Sequence, residues 1–179
     1  MEGNQTAFRQ LVNNYKNKVY NTVLGILQDE DEAEDVTQEV FIKIFESISG
    51  FKGGSKLSTW IYRIAVTQSL EYLRKKKRKK RFAFVYRLMG EEIDDFHIKT
   101  GDFIHPGVKL ENKEQAGILF RAIEDLPENQ KTAFTLNKVE GLSYQEVGEV
   151  MEISLASVES LIFRARNNLK KQLEPYYKK

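Results

Sequence analysis

The chain has 179 residues, no cysteine and a formal net charge of +2. The missing cysteines exclude a disulfide framework and thiolate metal sites. With 41% hydrophobic and 30% charged residues, the composition supports a packed core and excludes wholesale disorder. The opening MEGNQTAFRQ has no apolar signal core, and no apolar run reaches the ~18 residues of a membrane span, so a cytoplasmic protein is expected. The small net charge conceals its distribution: residues 1–73 carry −3, the block RKKKRKKR at 74–81 carries +8, residues 82–112 carry −3, and 113–179 are balanced.

In the first stretch Phe8, Leu11, Val12, Tyr15, Val19, Val23 and Leu27 recur at helical spacing, with Asn4 or Thr6 available as a cap. Asp29 to Glu32 interrupts the pattern and puts carboxylates at the start of a second helix, where the helix dipole favours them. That helix extends to about Ser47 and is expected to bury Val36, Val40, Ile44 and Ile48. Gly53 and Gly54 mark a loop from Gly50 to Ser55. A third helix starts between Ser55 and Ser58, buries Leu57, Trp60, Ile61, Ile64, Ala65 and Leu73, and ends in the basic block.

Between Arg81 and Asn112 the periodicity fades among Gly90, Gly101, Pro106 and Gly107, so 82–112 reads as a flexible linker with a short helix around Phe84 to Met89. Helices resume at Lys113. One runs to Asp125, ahead of Leu126–Pro127, and another from Glu128 to Val139. Ser143-Tyr-Gln-Glu146 is a capping box opening a helix that ends near Met151. The turn Glu152–Ser154 leads to a long helix ending around Leu173, before Pro175. The fold class is therefore all-α: two small helical domains, 1–81 and 113–179, joined by the linker.

Three features bear on function. The capped helix, tight turn and longer helix have a helix-turn-helix layout, whose second helix enters the major groove of DNA. Val158, Leu161, Ile162, Ala165 and Leu169 form its inward stripe, leaving Ser157, Glu159, Ser160, Phe163, Arg164 and Asn167 outward; an ordinary helical hairpin with a solvated face has the same pattern. On the third helix, Trp60, Tyr62, Arg63 and Gln68 precede Arg74, Lys75, Lys76, Lys77 and Arg78, aromatic rings for unpaired bases followed by cations for phosphates. For Trp60 core packing is an equal alternative. On the second helix, Glu32, Asp35 and Glu39 fall on successive turns with Gln38 beside them, either a solvated face or a docking face for a basic helical partner. Enzyme chemistry finds little support: His97 and His105 lie in the linker, and Gly53–Gly54 lacks the lysine and serine of a phosphate loop, so no cofactor or metal is expected.

DEAEDVTQEVF (31–41), STWIYRIA (58–65), LPENQ (126–130), EGLSYQEVGEVM (140–151) and SVESLIFRARNNL (157–169), in that order and spacing, resemble the extracytoplasmic-function group of bacterial sigma factors. The resemblance implies that Glu32, Asp35, Gln38 and Glu39 dock on the clamp coiled coil of core RNA polymerase. It implies that the Phe51–Lys56 loop, with Lys52 and Lys56, and the third helix melt and hold the minus-ten element. It also implies that the C-terminal domain meets the polymerase flap and reads the minus-thirty-five element through Ser143, Tyr144, Ser157, Glu159, Ser160, Phe163, Arg164 and Arg166. Promoter DNA, duplex and melted, and an anti-sigma factor are the other implied partners. Thr67, Glu71, Glu152, Glu159 and Leu161 depart from that family's usual residues. A helix-turn-helix regulator acting without polymerase, or a helical adaptor, are the alternatives.

Overall fold

Seven α-helices and no strand make up the described residues. The computed structural model describes residues 2–88 and 113–177, the side chains over 5–81 and 117–176. The helices are α1 (Glu2–Leu27), α2 (Glu30–Ser47), α3 (Leu57–Leu88), α4 (Lys113–Glu124), α5 (Glu128–Phe134), α6 (Tyr144–Met151) and α7 (Leu155–Tyr177). A 3-10 turn, Ile48–Gly50, follows α2, and a π-helical turn, Thr135–Val139, extends α5.

The turn from α1 to α2 is set by two side chains. Gln28 takes the left-handed conformation, φ 60°, and its amide donates to the Gly25 carbonyl at 2.7 Å. Asp29 then caps α2, accepting from the Glu32 amide at 3.0 Å. Ala33, Val36, Val40 and Ile44 repeat every three or four residues and are fully buried against α1 and α3. Val19, Val23, Leu24 and Ile26 of α1 are equally buried, each contributing about 1.5–3 kcal/mol by leaving water.

The two helical groups share one core. Ala133, Leu136, Val147, Val150, Val158 and Ile162 from the second half are continuous with the α1–α3 interior. The joining contacts are α6 on α3, and α5 with the π turn on α1. A smaller cluster of Phe120, Ile123, Leu126, Ala165 and Leu169 fixes α4 to α7.

Several expected boundaries move. Helix α1 begins at Glu2, ahead of the expected caps Asn4 and Thr6. Helix α3 continues through the basic block to Leu88, so the first seven residues of the expected linker are helical. No glycine or proline interrupts it, and Lys, Arg and Leu are good helix formers. Repulsion in the block is relieved by ion pairs of Lys76 with Glu32 and of Lys77 with Glu128. The rest of the linker, with His97 and His105, lies outside the described residues. Helix α7 runs past Leu173 to Tyr177, carrying Pro175 in its last turn, where the missing amide removes only a terminal bond. Ile48, in the 3-10 turn, and Leu57, Trp60, Ile64 and Leu73, on α3, are half-buried and pack against the core rather than forming part of its interior.

Candidate nucleic-acid interface

Burial of Val36, Val40 and Ile44 turns Asp35, Gln38 and Glu39 outward, and all three are exposed. The same helix continues with Ile42 and Phe45, each 60% exposed, and the Phe45 ring meets Phe8 edge-on at 5.0 Å. Glu32 is set apart from this face. Its carboxylate pairs with Lys76, and it lies beside Tyr72, whose phenol is pushed up to about 12 by burial and by the Glu32 charge. Three of the four expected docking residues therefore form an open surface, and the fourth ties α2 to α3.

Lys52 and Lys56 are exposed on the loop before α3, with Gly53 supplying its positive φ of 73°. Trp60 is half-buried, its ring tilted against Phe51 at 5.2 Å. Tyr62 is buried, and its hydroxyl donates to Glu140 Oε2 at 2.9 Å. Burial raises the phenol's pKa far above its ordinary value, with the Glu140 charge adding to it; burial also raises that of the Glu140 carboxyl. Arg63 is engaged twice: Nη2 donates to the Glu149 carbonyl at 2.7 Å, and Nη1 lies 3.1 Å from Glu152 Oε1. Lys56 Nζ meets Glu146 Oε1 at 3.0 Å. Gln68 is half-buried, while Arg74, Lys75 and Arg78 are exposed. An open cleft of about 510 Å³ runs along this basic stretch, with Arg81 and Glu71 among its lining residues.

The C-terminal motif is built as its sequence requires. Ser143 Oγ accepts from the Glu146 amide at 3.2 Å, and Glu146 Oε2 accepts from the Ser143 amide at 3.0 Å. The Ser143 amide and then Lys56 hold the Glu146 carboxyl down to about 2. Helix α6 stops at Glu152, left-handed at φ 57°. The Ile153 amide returns to the Gly148 carbonyl at 3.0 Å, and a Cβ on Gly148 would sit 3.0 Å from the Ile153 oxygen, so glycine lets the turn close tightly. Val158, Ile162, Ala165 and Leu169 anchor α7 from behind. Ser157, Glu159, Ser160, Phe163, Arg164 and Arg166 are all exposed, Phe163 to 66%. Ser143 is exposed and Tyr144 half-buried. Leu161, expected in the inward stripe, is half-buried.

Residues 11–79 match the family model Sigma-70 region 2, and residues 116–169 match Sigma-70, region 4. The chain is 36% identical to the ECF RNA polymerase sigma-E factor of Haemophilus influenzae, over 97% of this chain and 91% of that protein. This chain belongs to the extracytoplasmic-function sigma factors. A 34% identity to the RNA polymerase sigma-H factor of Pseudomonas aeruginosa covers 97% of this sigma factor and 89% of that one. The sigma-E factor of Escherichia coli K12 is also 34% identical, over 97% and 90%. The fold is that of the Bartonella quintana sigma factor RpoE solved with the anti-sigma factor NepR, at a TM-score of 0.72 and 21% identity, covering 94% of this chain and 97% of that one. CnrH, solved with the cytosolic domain of CnrY, matches at a TM-score of 0.66 and 21% identity, over 97% and 92%.

Sequence reasoning missed the acidic groups that face α3. Glu146 reads as a capping residue, while Glu140 and Glu152 read as helix-end and turn residues; the Glu149 backbone carbonyl, which accepts from Arg63, carries no sequence signal. Their partners lie 78 to 90 residues away, beyond the reach of any periodicity argument. The outward face of α7 was legible because its buried stripe was legible. No helix among the described residues is long and apolar enough to cross a membrane.

Proposed function

We propose that this sigma factor divides its work among three helices. The open face of α2, Asp35, Gln38 and Glu39, docks on a basic helical element of core RNA polymerase, with Glu32 setting the α2–α3 geometry behind it. Helix α3 with its preceding loop engages the minus-ten element: Trp60 offers its ring to unpaired bases, while Lys52, Lys56, Arg63 and the cations from Arg74 to Arg78 meet phosphates. Tyr62, expected beside Trp60 as a stacking ring, is instead buried against Glu140. Helix α7 enters the major groove at the minus-thirty-five element, Arg164 and Glu159 towards base edges and Arg166 towards the backbone. The units are 1–81 and 113–179, acting in the cytoplasm by binding rather than by catalysis.

The observation that carries this reading is the exposure of the α7 outer face over a buried stripe, behind a capped and glycine-closed turn. An anti-sigma factor is a further partner: the sigma factor RpoE, which shares this fold, was solved with the anti-sigma factor NepR. The test is selection from a randomised duplex library by this chain with and without core polymerase. Two sequence elements at fixed spacing should be recovered only with polymerase. Specific recovery by the chain alone would identify a free-standing regulator instead.

A further inference from the structure

The basic block sorts its arginines to one side of α3. Arg74, Arg78 and Arg81 recur at i, i+4 and i+7, one face of a helix, and all three line the open cleft of about 510 Å³. Lys76, Lys79 and Lys80 of the same block do not line it. Helix α5 contributes Glu128, its first residue, which is tied to Lys77 at 2.6 Å. On this side the block therefore faces a concavity rather than open water. Its volume falls in the range of small-molecule sites, roughly 300–1,000 Å³.

We propose that this cleft binds an oligophosphate, a chain of linked phosphates either free or carried by a nucleotide. Arginine suits phosphate because its planar fork gives two parallel hydrogen bonds, where lysine offers a point charge. The three arginines span seven residues, about 10 Å of helix. A lone phosphate reaches one or two of them, and a linked chain reaches all three. None of the three has an ion pair or a side-chain hydrogen bond among the described residues, whereas Lys76 and Lys77 are engaged by Glu32 and Glu128.

The charge of the cleft favours such a guest. Lys77 neutralises Glu128, which leaves Glu71 as the one free carboxylate among the lining residues, against Lys75 and the three arginines. The positive excess extends to α5. Lys131 is buried there, and burial lowers its pKa; Lys77 adds to the effect, while Glu124, Glu128 and Asp125 oppose it. A bound polyanion would relieve the repulsion among the arginines and favour the charged form of Lys131. Glu71 could accept from a ribose hydroxyl or a base amino group, which an inorganic chain lacks. On the reading of α3 as a DNA-binding helix, the guest occupies Arg74 and Arg78 and so competes with DNA. The binding itself depends on neither DNA nor polymerase, and its test can fail without touching that reading.

Calorimetric titration of the full chain at fixed salt, with inorganic triphosphate, orthophosphate, ATP and GTP as probes, tests the site. Triphosphate should bind one-to-one and about tenfold or more tighter than orthophosphate, the scale of added hydrogen bonds between charged groups. Arg78→Gln with Arg81→Gln should weaken it about tenfold or more for the same reason. Lys79→Gln with Lys80→Gln removes equal charge from outside the cleft and should change it less than about threefold, through screened attraction alone. All four side chains are exposed, so both double variants should melt close to the parent. Arg78→Lys with Arg81→Lys keeps the charge and should still weaken binding, because the forked contacts are lost. Tighter binding of ATP or GTP than of triphosphate identifies a nucleotide as the guest, and Glu71→Gln should remove that margin; binding no tighter identifies the inorganic chain. Equal losses in the two glutamine double variants would make the cleft a run of charge without a site and overturn the proposal. Orthophosphate bound as tightly as triphosphate, or no binding of triphosphate at low salt, overturns it as well.

Discussion

Gly25 and Thr135 meet across the join of the two halves with no room for a methyl group between them. A Cβ on Gly25 would lie 2.4 Å from Thr135 Cγ2, and the Thr135 hydroxyl donates to the Gly25 carbonyl at 3.3 Å. Alanine is favoured over glycine inside a helix by about 1 kcal/mol, whereas overpacking a buried contact costs about 1–3 kcal/mol. Gly25→Ala should therefore lower the urea midpoint, and Gly25→Ala with Thr135→Ser should recover part of the loss. A Gly25→Ala variant as stable as the parent would show that α1 and the π turn do not press together.

Asp35→Arg with Glu39→Arg should weaken core polymerase binding by several kcal/mol, the scale of an interfacial charge reversal. Both side chains are exposed, so the melting temperature should stay close to that of the parent. Co-purification with polymerase at the parent's level would move the docking face elsewhere on the molecule.

The contrast between these two sites explains what the sequence makes visible. Asp35 and Glu39 were legible because Val36, Val40 and Ile44 fix the inward side of α2, and the opposite side follows. The α6–α7 motif was legible for the same reason, with Ser143 and Glu146 marking its start. Gly25 and Thr135, like Tyr62 and Glu140, are brought together by packing between halves, which no local spacing encodes. The continuation of α3 to Leu88 was obscured because charge repulsion in the block argues against a helix until Glu32 and Glu128 are seen to sit against Lys76 and Lys77.

The capping box should give the protein an acid-sensitive step. The folded state holds the Glu146 carboxyl at about 2 against an ordinary value of 4.5. Its contribution to stability is therefore complete above that ordinary value and is lost as the pH falls from there towards about 2. Ser143→Ala should cost ~1 kcal/mol at neutral pH. Glu146→Gln should flatten the part of the stability–pH curve between those two values, read by denaturant melts at each pH. An unaltered curve would remove Glu146 from the acid response.

On α7, Arg164→Ala should cost ~1–3 kcal/mol at a single promoter position and relax discrimination there. Arg166→Ala, lacking a base to read, should weaken all promoters alike. Transcription from a library of minus-thirty-five elements distinguishes the two. Equal losses on every element with Arg164→Ala would make that residue a phosphate ligand.

The basic stretch of α3 should act through charge alone. Replacing Lys75, Lys76, Lys77 and Arg78 by glutamine should reduce the log–log salt slope of holoenzyme binding to promoter duplex by ~0.9 for each phosphate no longer neutralised. Because Lys76 and Lys77 are paired internally, replacing Lys75 and Arg78 alone should account for most of the change at low salt. A slope that does not move assigns the stretch to another partner.

Run-off transcription with purified core polymerase on a randomised promoter library tests the central claim most directly. The account predicts discrete transcripts that require this chain, start downstream of two selected elements, and fall sharply with Asp35→Arg and Glu39→Arg. Transcripts that are absent, or that do not depend on the chain, would contradict its action as an initiation factor.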